Sequence, residues 1–124
     1  MSAQHMVEHL ILAVKLSNGK LLVDCFSPQE KLPALKKLLM SSRPLPKEFI
    51  NPLIGEGLFP LEFENLDSAK IVLVKEVEDY IKFFEENPEA VLTNPTFGPL
   101  NKAEWEVFHE KHFNHHFTQF GILK

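Results

Sequence analysis

Apolar residues recur at three- and four-residue intervals through four stretches of the chain, and proline, glycine and asparagine break the pattern between them. The first stretch holds Met6, Val7, Leu10, Ile11, Ala13 and Val14, the spacing of a helix buried over a broad face. Ser2 is placed to cap it. Asn18-Gly19 ends it near Leu16, because glycine accepts the left-handed conformation that closes a helix. Lys20 to Phe26 reads as a short extended or irregular link. Ser27-Pro28-Gln29-Glu30 then spells a helix start, with serine as cap, proline in the first helical position and glutamate reaching back. That helix carries Leu32, Leu35, Leu38, Leu39 and Met40 and stops by Ser42, before Arg43-Pro44.

From Arg43 to Glu64 the chain is punctuated by Pro44, Pro46, Pro52, Pro60, Gly55 and Gly57 while apolar residues continue, which predicts an ordered, packed loop. Asn65 or Asp67 caps a third helix, whose stripe is Ile71, Val74, Val77, Ile81 and Phe84 and which ends at Asn87-Pro88. An irregular stretch with Pro88, Pro95 and Pro99 follows. Asn101 and Glu104 repeat the reciprocal capping pattern and open a last helix that runs to about Phe120. Four helices and almost no strand predict an all-α bundle with long proline-containing connections, in one domain spanning residues 1–124.

Charge and composition narrow the function classes. The net charge is −4 and no basic cluster is longer than Lys36-Lys37, so the electrostatic footprint of a nucleic-acid binder is missing. No apolar run approaches the roughly 18 residues of a membrane span, and the N-terminus lacks the layout of a signal peptide. Cys25 stands alone, which fits a reducing, cytoplasmic setting.

The candidate chemistry lies in the histidines. Four of the six fall inside the eight residues from His109 to His116. On a helix, Trp105, His109, His112, His116 and Gln119 share one face. His112 and His116 are one turn apart, about 6 Å of rise, which lets two imidazoles reach one cation. His109 lies about 10 Å along the axis from His116, too far for the same ion, and reads as an outer neighbour or pocket lining. Gln119 is placed to orient a ligand imidazole or a water, and Trp105 to form an apolar wall. His5 and His9 make a second i, i+4 pair on the first helix. A lone histidine on an apolar face is ordinarily a satisfied core or rim residue. Several together leave donors and acceptors to match and bring like charges together on protonation. From spacing alone, metal ligation and a neutral hydrogen-bonded cluster both stay open.

The run Phe97-Gly98-Pro99-Leu100-Asn101-Lys102-Ala103-Glu104-Trp105, followed by His109, His112, His115-His116 and Gln119-Phe120, resembles the DinB-like metal-binding four-helix bundles, in particular their DUF1569 branch of uncharacterised bacterial proteins. The opening Met6-Val7-Glu8-His9-Leu10 is similar to the Met-x-x-His-Leu pattern of that family's second helix. The resemblance implies an up-and-down DinB-like bundle with a metal held by His9, His112 and His116, and with Gln119 at the family's glutamine position. Three imidazoles suit Zn²⁺ or Ni²⁺, or Fe²⁺. In the wider superfamily such sites serve thiol-dependent transferases and metal-dependent hydrolases, so a small-molecule or thiol substrate is implied. Labels from phenylacetate breakdown attach to some relatives, but no residue here speaks for that chemistry.

Family members begin with another helix before the Met-x-x-His helix, whereas this chain starts inside what is their second. Either the helix from Ser27 to Ser42 closes the bundle or an apolar groove remains; such a groove predicts a homodimer, filled by a second subunit or by exchanged helices. The alternative to an enzyme is a non-catalytic dimeric scaffold or binding module of the same fold. A third reading makes the chain a remnant of a longer gene product.

Overall fold

In the computed structural model, which describes residues 3–44 and 61–119, the elements run α1 (Ala3–Ser17), a single 3-10 turn (Gln29–Lys31), α2 (Leu32–Met40), α3 (Leu66–Glu86), β1 (Leu92–Asn94), β2 (Gly98–Leu100) and α4 (Lys102–Gln119). Among the described residues the protein is therefore mostly helical, with four α-helices and one small antiparallel hairpin. None of these helices is long and apolar enough to cross a membrane. The expected cap Ser2 and most of the predicted Arg43–Glu64 loop lie outside the described residues.

The first helix is buried on several sides because nearly every residue from Met6 to Ser17 is apolar or small. It packs along α3 and against α4, while α2 packs on α4. One core gathers Ala13, Leu16, Leu39, Phe84, Phe97, Leu100, Trp105 and Phe108; a second gathers Met6, Val7, Leu10, Ile11 and Ala69, with Phe113 and Phe117 against it. Gly19 ends α1 at φ +82°, the left-handed conformation that glycine accepts at a helix end, and the Leu21 amide returns to the Lys15 carbonyl at 3.1 Å. Asn18 then donates to the Glu76 carboxylate at 2.9 Å, and Lys20 pairs with Glu76 at 2.9 Å, fixing this end of α1 to α3.

Three expectations are corrected. The capping box at Ser27 does not form. The Ser27 hydroxyl donates instead to the Thr96 carbonyl at 2.7 Å, so only a 3-10 turn follows, and α2 starts at Leu32 with Pro33 in its first turn. The irregular stretch before α4 contains a hairpin, with Leu92 opposite Leu100 and Asn94 opposite Gly98. Its turn is held by Asn94, whose Oδ1 accepts from the amides of Thr96 (2.8 Å) and Phe97 (3.0 Å), and by Gly98 at φ +77°. The third correction concerns α3. Its buried residues are Ala69, Glu76 and Phe84, whereas Ile71, Val74 and Ile81 are exposed. Helical spacing is sound, and of the expected stripe Phe84 is buried and Val77 half-buried, but the buried side of the helix is turned away from Ile71, Val74 and Ile81.

The remaining local signals hold. Asn65 Oδ1 accepts from the Ser68 amide at 2.9 Å to cap α3. Asn101 Oδ1 accepts from the Glu104 amide at 2.9 Å, and Glu104 Oε1 accepts from the Asn101 amide at 3.0 Å, completing the capping box of α4. No strand forms among residues 20–26.

Candidate metal centre

Where α1 lies against α4, three imidazoles meet. His9 comes from the middle of α1, and His112 and His116 from successive turns of α4. All three are buried. His9 Nε2 lies 2.9 Å from His112 Nε2, and His116 Nε2 lies 3.2 Å from the same atom. The rings meet edge to face at centroid distances of 4.8 Å for His9–His112 and His112–His116 and 5.1 Å for His9–His116. Phe108, one turn before His112, lies tilted on its ring at 5.2 Å, and His115 stands against His116 at 5.3 Å.

The donor set fits a divalent cation. A nitrogen–metal bond of about 2.0–2.1 Å places two ligand nitrogens about 2.9 Å apart at a right angle and about 3.4 Å apart at the tetrahedral angle. Both His112 distances fall within that range, and the candidate ligand atoms of the three residues all lie within 4.8 Å of one another. Hydrogen bonding alone serves this arrangement less well. The Nε2 of a neutral imidazole is either an N–H donor or a single in-plane acceptor, so His112 Nε2 can satisfy one neighbour in good line but not both. Protonating the group would concentrate like charge out of water. A cation takes all three lone pairs at once.

No family model, curated protein or solved structure matches the chain. The reading of the site therefore rests on its own residues.

His109 stands one turn before His112 and takes no part in the cluster. Its Nε2 lies 2.7 Å from Ser17 Oγ, and that hydroxyl also donates to the Val14 carbonyl at 2.8 Å. With its only proton on Val14, Ser17 accepts from His109, which places the imidazole proton on Nε2. The ring stacks on Trp105 at 5.3 Å and meets Tyr80 edge-on at 5.1 Å. Burial pushes the His109 pKa down to about 3, so it is a neutral wall residue at pH 7 and not a proton shuttle. Burial likewise lifts Tyr80 to about 12, with the Glu106 charge adding to it. Trp105 is buried as the apolar wall expected of it, its Nε1 donating to the Leu92 carbonyl at 3.1 Å.

Other candidates are placed elsewhere. His5, a turn before His9 on α1, lies outside the three-histidine group. Gln119 belongs to the last turn of α4, and its side chain is outside the described residues. Glu8 is structural, accepting from the amides of Glu62 (2.7 Å) and Phe63 (3.4 Å) and from Gln4 (2.9 Å). Burial pushes its carboxyl up, but these bonds outweigh that and leave it below its ordinary range. Sequence reasoning missed Ser17 and Tyr80, whose roles depend on which helices become neighbours.

Proposed function

We propose that this chain is a DinB-like bundle that binds one divalent cation, Zn²⁺ or Ni²⁺ first and Fe²⁺ second, through His9, His112 and His116. One observation carries the reading: three buried imidazole nitrogens from two helices converge at ligand spacing. The resemblance of the first and last helices to the family pattern supports the same three residues. Bound there, the cation supplies Lewis acidity toward a thiol or a water. The chain itself supplies an apolar surround from Phe108 and the Trp105–His109 stack, which keeps bulk water from the imidazoles. The reaction class that follows is thiol transfer or hydrolysis on a small molecule.

Metal content by plasma mass spectrometry on tag-free protein tests the binding. About one equivalent of metal per chain, lost in both His9→Ala and His116→Ala, is expected of a three-ligand centre. Protein that takes up no Zn²⁺, Ni²⁺ or Fe²⁺ on reconstitution would make the histidines structural.

A second reading has an observation of its own. None of the three ligands is more than 4% exposed, as in structural sites, which are closed, whereas catalytic ones keep a position open. On this reading the cation stabilises a non-catalytic binding module. A Co²⁺-loaded protein whose visible spectrum ignores added small thiols would favour it; a shifted spectrum would favour the enzyme.

A further inference from the structure

Between the C-terminal end of α2 and one side of α4 lies a cavity of about 750 Å³, a volume in the range that holds small organic molecules. Its α4 wall is Val107, Glu110, Lys111, Asn114 and His115, which share one face at helical spacing. That face is not the one carrying His112 and His116, and none of the three clustered histidines lines the cavity. The other wall is the chain from Met40 to Pro44 as it leaves α2. The cavity is therefore a separate site. His115, whose ring meets His116 at 5.3 Å, is the side chain that touches both.

The rim is fixed by α4 itself. Lys111 Nζ donates to the carbonyls of Leu39 at 2.6 Å and of Ser41 and Arg43 at 2.7 Å each. Three carbonyls use up the three ammonium protons, so this lysine is a clamp and not an open cation. Arg43 differs. Its N–H donates to Ser41 Oγ at 3.3 Å and its carbonyl is held by Lys111, while its side chain is exposed and enters no ion pair among the described residues. The carboxylate in the lining is Glu110, whose charge acts on the adjacent Lys111. One guanidinium is left uncompensated at the edge of a hollow whose walls also hold Met40, Pro44 and Val107.

We propose that this cavity binds a small organic anion, a carboxylate with an apolar body, its charge on Arg43 and its body along Met40, Pro44 and Val107. A guanidinium matches the two oxygens of a carboxylate with parallel N–H donors. The apolar walls favour a ligand with hydrocarbon to bury over a bare inorganic ion. A polyphosphate fits less well, because one open cation would face its several charges with Glu110 in the same space. The inference does not depend on the metal reading, since the three clustered histidines take no part in the lining.

Amide NMR spectra of the metal-free, isotope-labelled chain titrated with octanoate test it, beside octanamide, which has the same body without the charge. Octanoate should shift the amides of residues 40–43 and 107–115, which border the cavity. It should bind at least about tenfold more tightly than octanamide, the worth of a charge-assisted pair. Arg43→Gln should abolish that preference with the far-UV circular dichroism unchanged, because the side chain faces solvent. Lys70→Gln, which removes an exposed cation from α3, should leave the preference intact. No shifts at millimolar octanoate, shifts centred elsewhere, equal affinity for acid and amide, or full octanoate affinity in Arg43→Gln would overturn the proposal. Metal uptake is read separately, so either reading can fail without the other.

Discussion

At the scale of single residues, Ser17 and His109 show how a short polar side chain decides the state of a larger one. The serine closes α1 by donating to Val14, and only its lone pairs are left for the imidazole. Burial then holds His109 neutral, with a pKa of about 3 against about 6.5 in the unfolded chain. The sign follows directly. Above pH 6.5 neither state carries the proton and His109 contributes no pH dependence. Between 6.5 and about 3 the unfolded chain binds a proton that the folded one refuses, so stability falls as the pH falls. In metal-free protein, urea titrations should show this residue adding up to about 1.4 kcal/mol of lost stability per pH unit in that window. His109→Gln should flatten the slope by that amount. An unchanged slope would mean the imidazole is solvated or charged.

At the scale of elements, α2 is the one that leans most on others. Nine residues are fewer than the roughly 12–15 at which an isolated helix becomes even marginal in water. Its support comes from α4: Lys36 pairs with Glu104 at 3.2 Å, and the Lys111 ammonium collects carbonyls at the end of the helix. Lys111 Nζ donates to Leu39 at 2.6 Å and to Ser41 and Arg43 at 2.7 Å each. A cation on the carbonyl end of a helix also meets the favourable end of its dipole. Burial lowers the lysine's pKa, and the neighbouring Glu110 partly counters it. Lys111→Met should cost about 2 kcal/mol, and hydrogen exchange should quicken at residues 38–43 ahead of α1 and α3. Uniform exchange throughout would show that α2 stands without this contact.

The same scale shows what a sequence can reveal. Asn65, Asn101 and Gly19 were legible because each acts within a few residues of itself. Ser27 was not, since its partner Thr96 is 69 positions away and outcompetes the local cap. Periodicity marked α3 as a helix but could not say which of its faces would meet α1, and the buried Glu76 was invisible without its partners Asn18 and Lys20. The hairpin hid because an asparagine and a glycine, not a run of alternating residues, define it. At the site, spacing brought His112 and His116 together. His9 entered through the family resemblance, and only the packing of α1 on α4 puts it beside them. Tyr80 joins His109 from α3, which no local pattern foretells.

At the scale of the whole molecule, the two sides of the histidine cluster come from opposite ends of the chain, with 103 positions between His9 and His112. Closing so large a loop in an unfolded polymer costs about 4 kcal/mol, growing with the logarithm of its length. A cation at this point is therefore a latch more than a nucleus. The unfolded chain can offer it only histidines that are neighbours in sequence, His5 with His9 at one end or the group from His109 to His116 at the other, and the full set of His9, His112 and His116 assembles once α1 and α4 have docked. Stopped-flow traces should show unfolding slowed by about tenfold or more with Zn²⁺ present, while the refolding rate stays nearly constant, the signature of contacts formed after the rate-limiting step. Refolding accelerated by the ion to the same degree would mean that the ends find each other first.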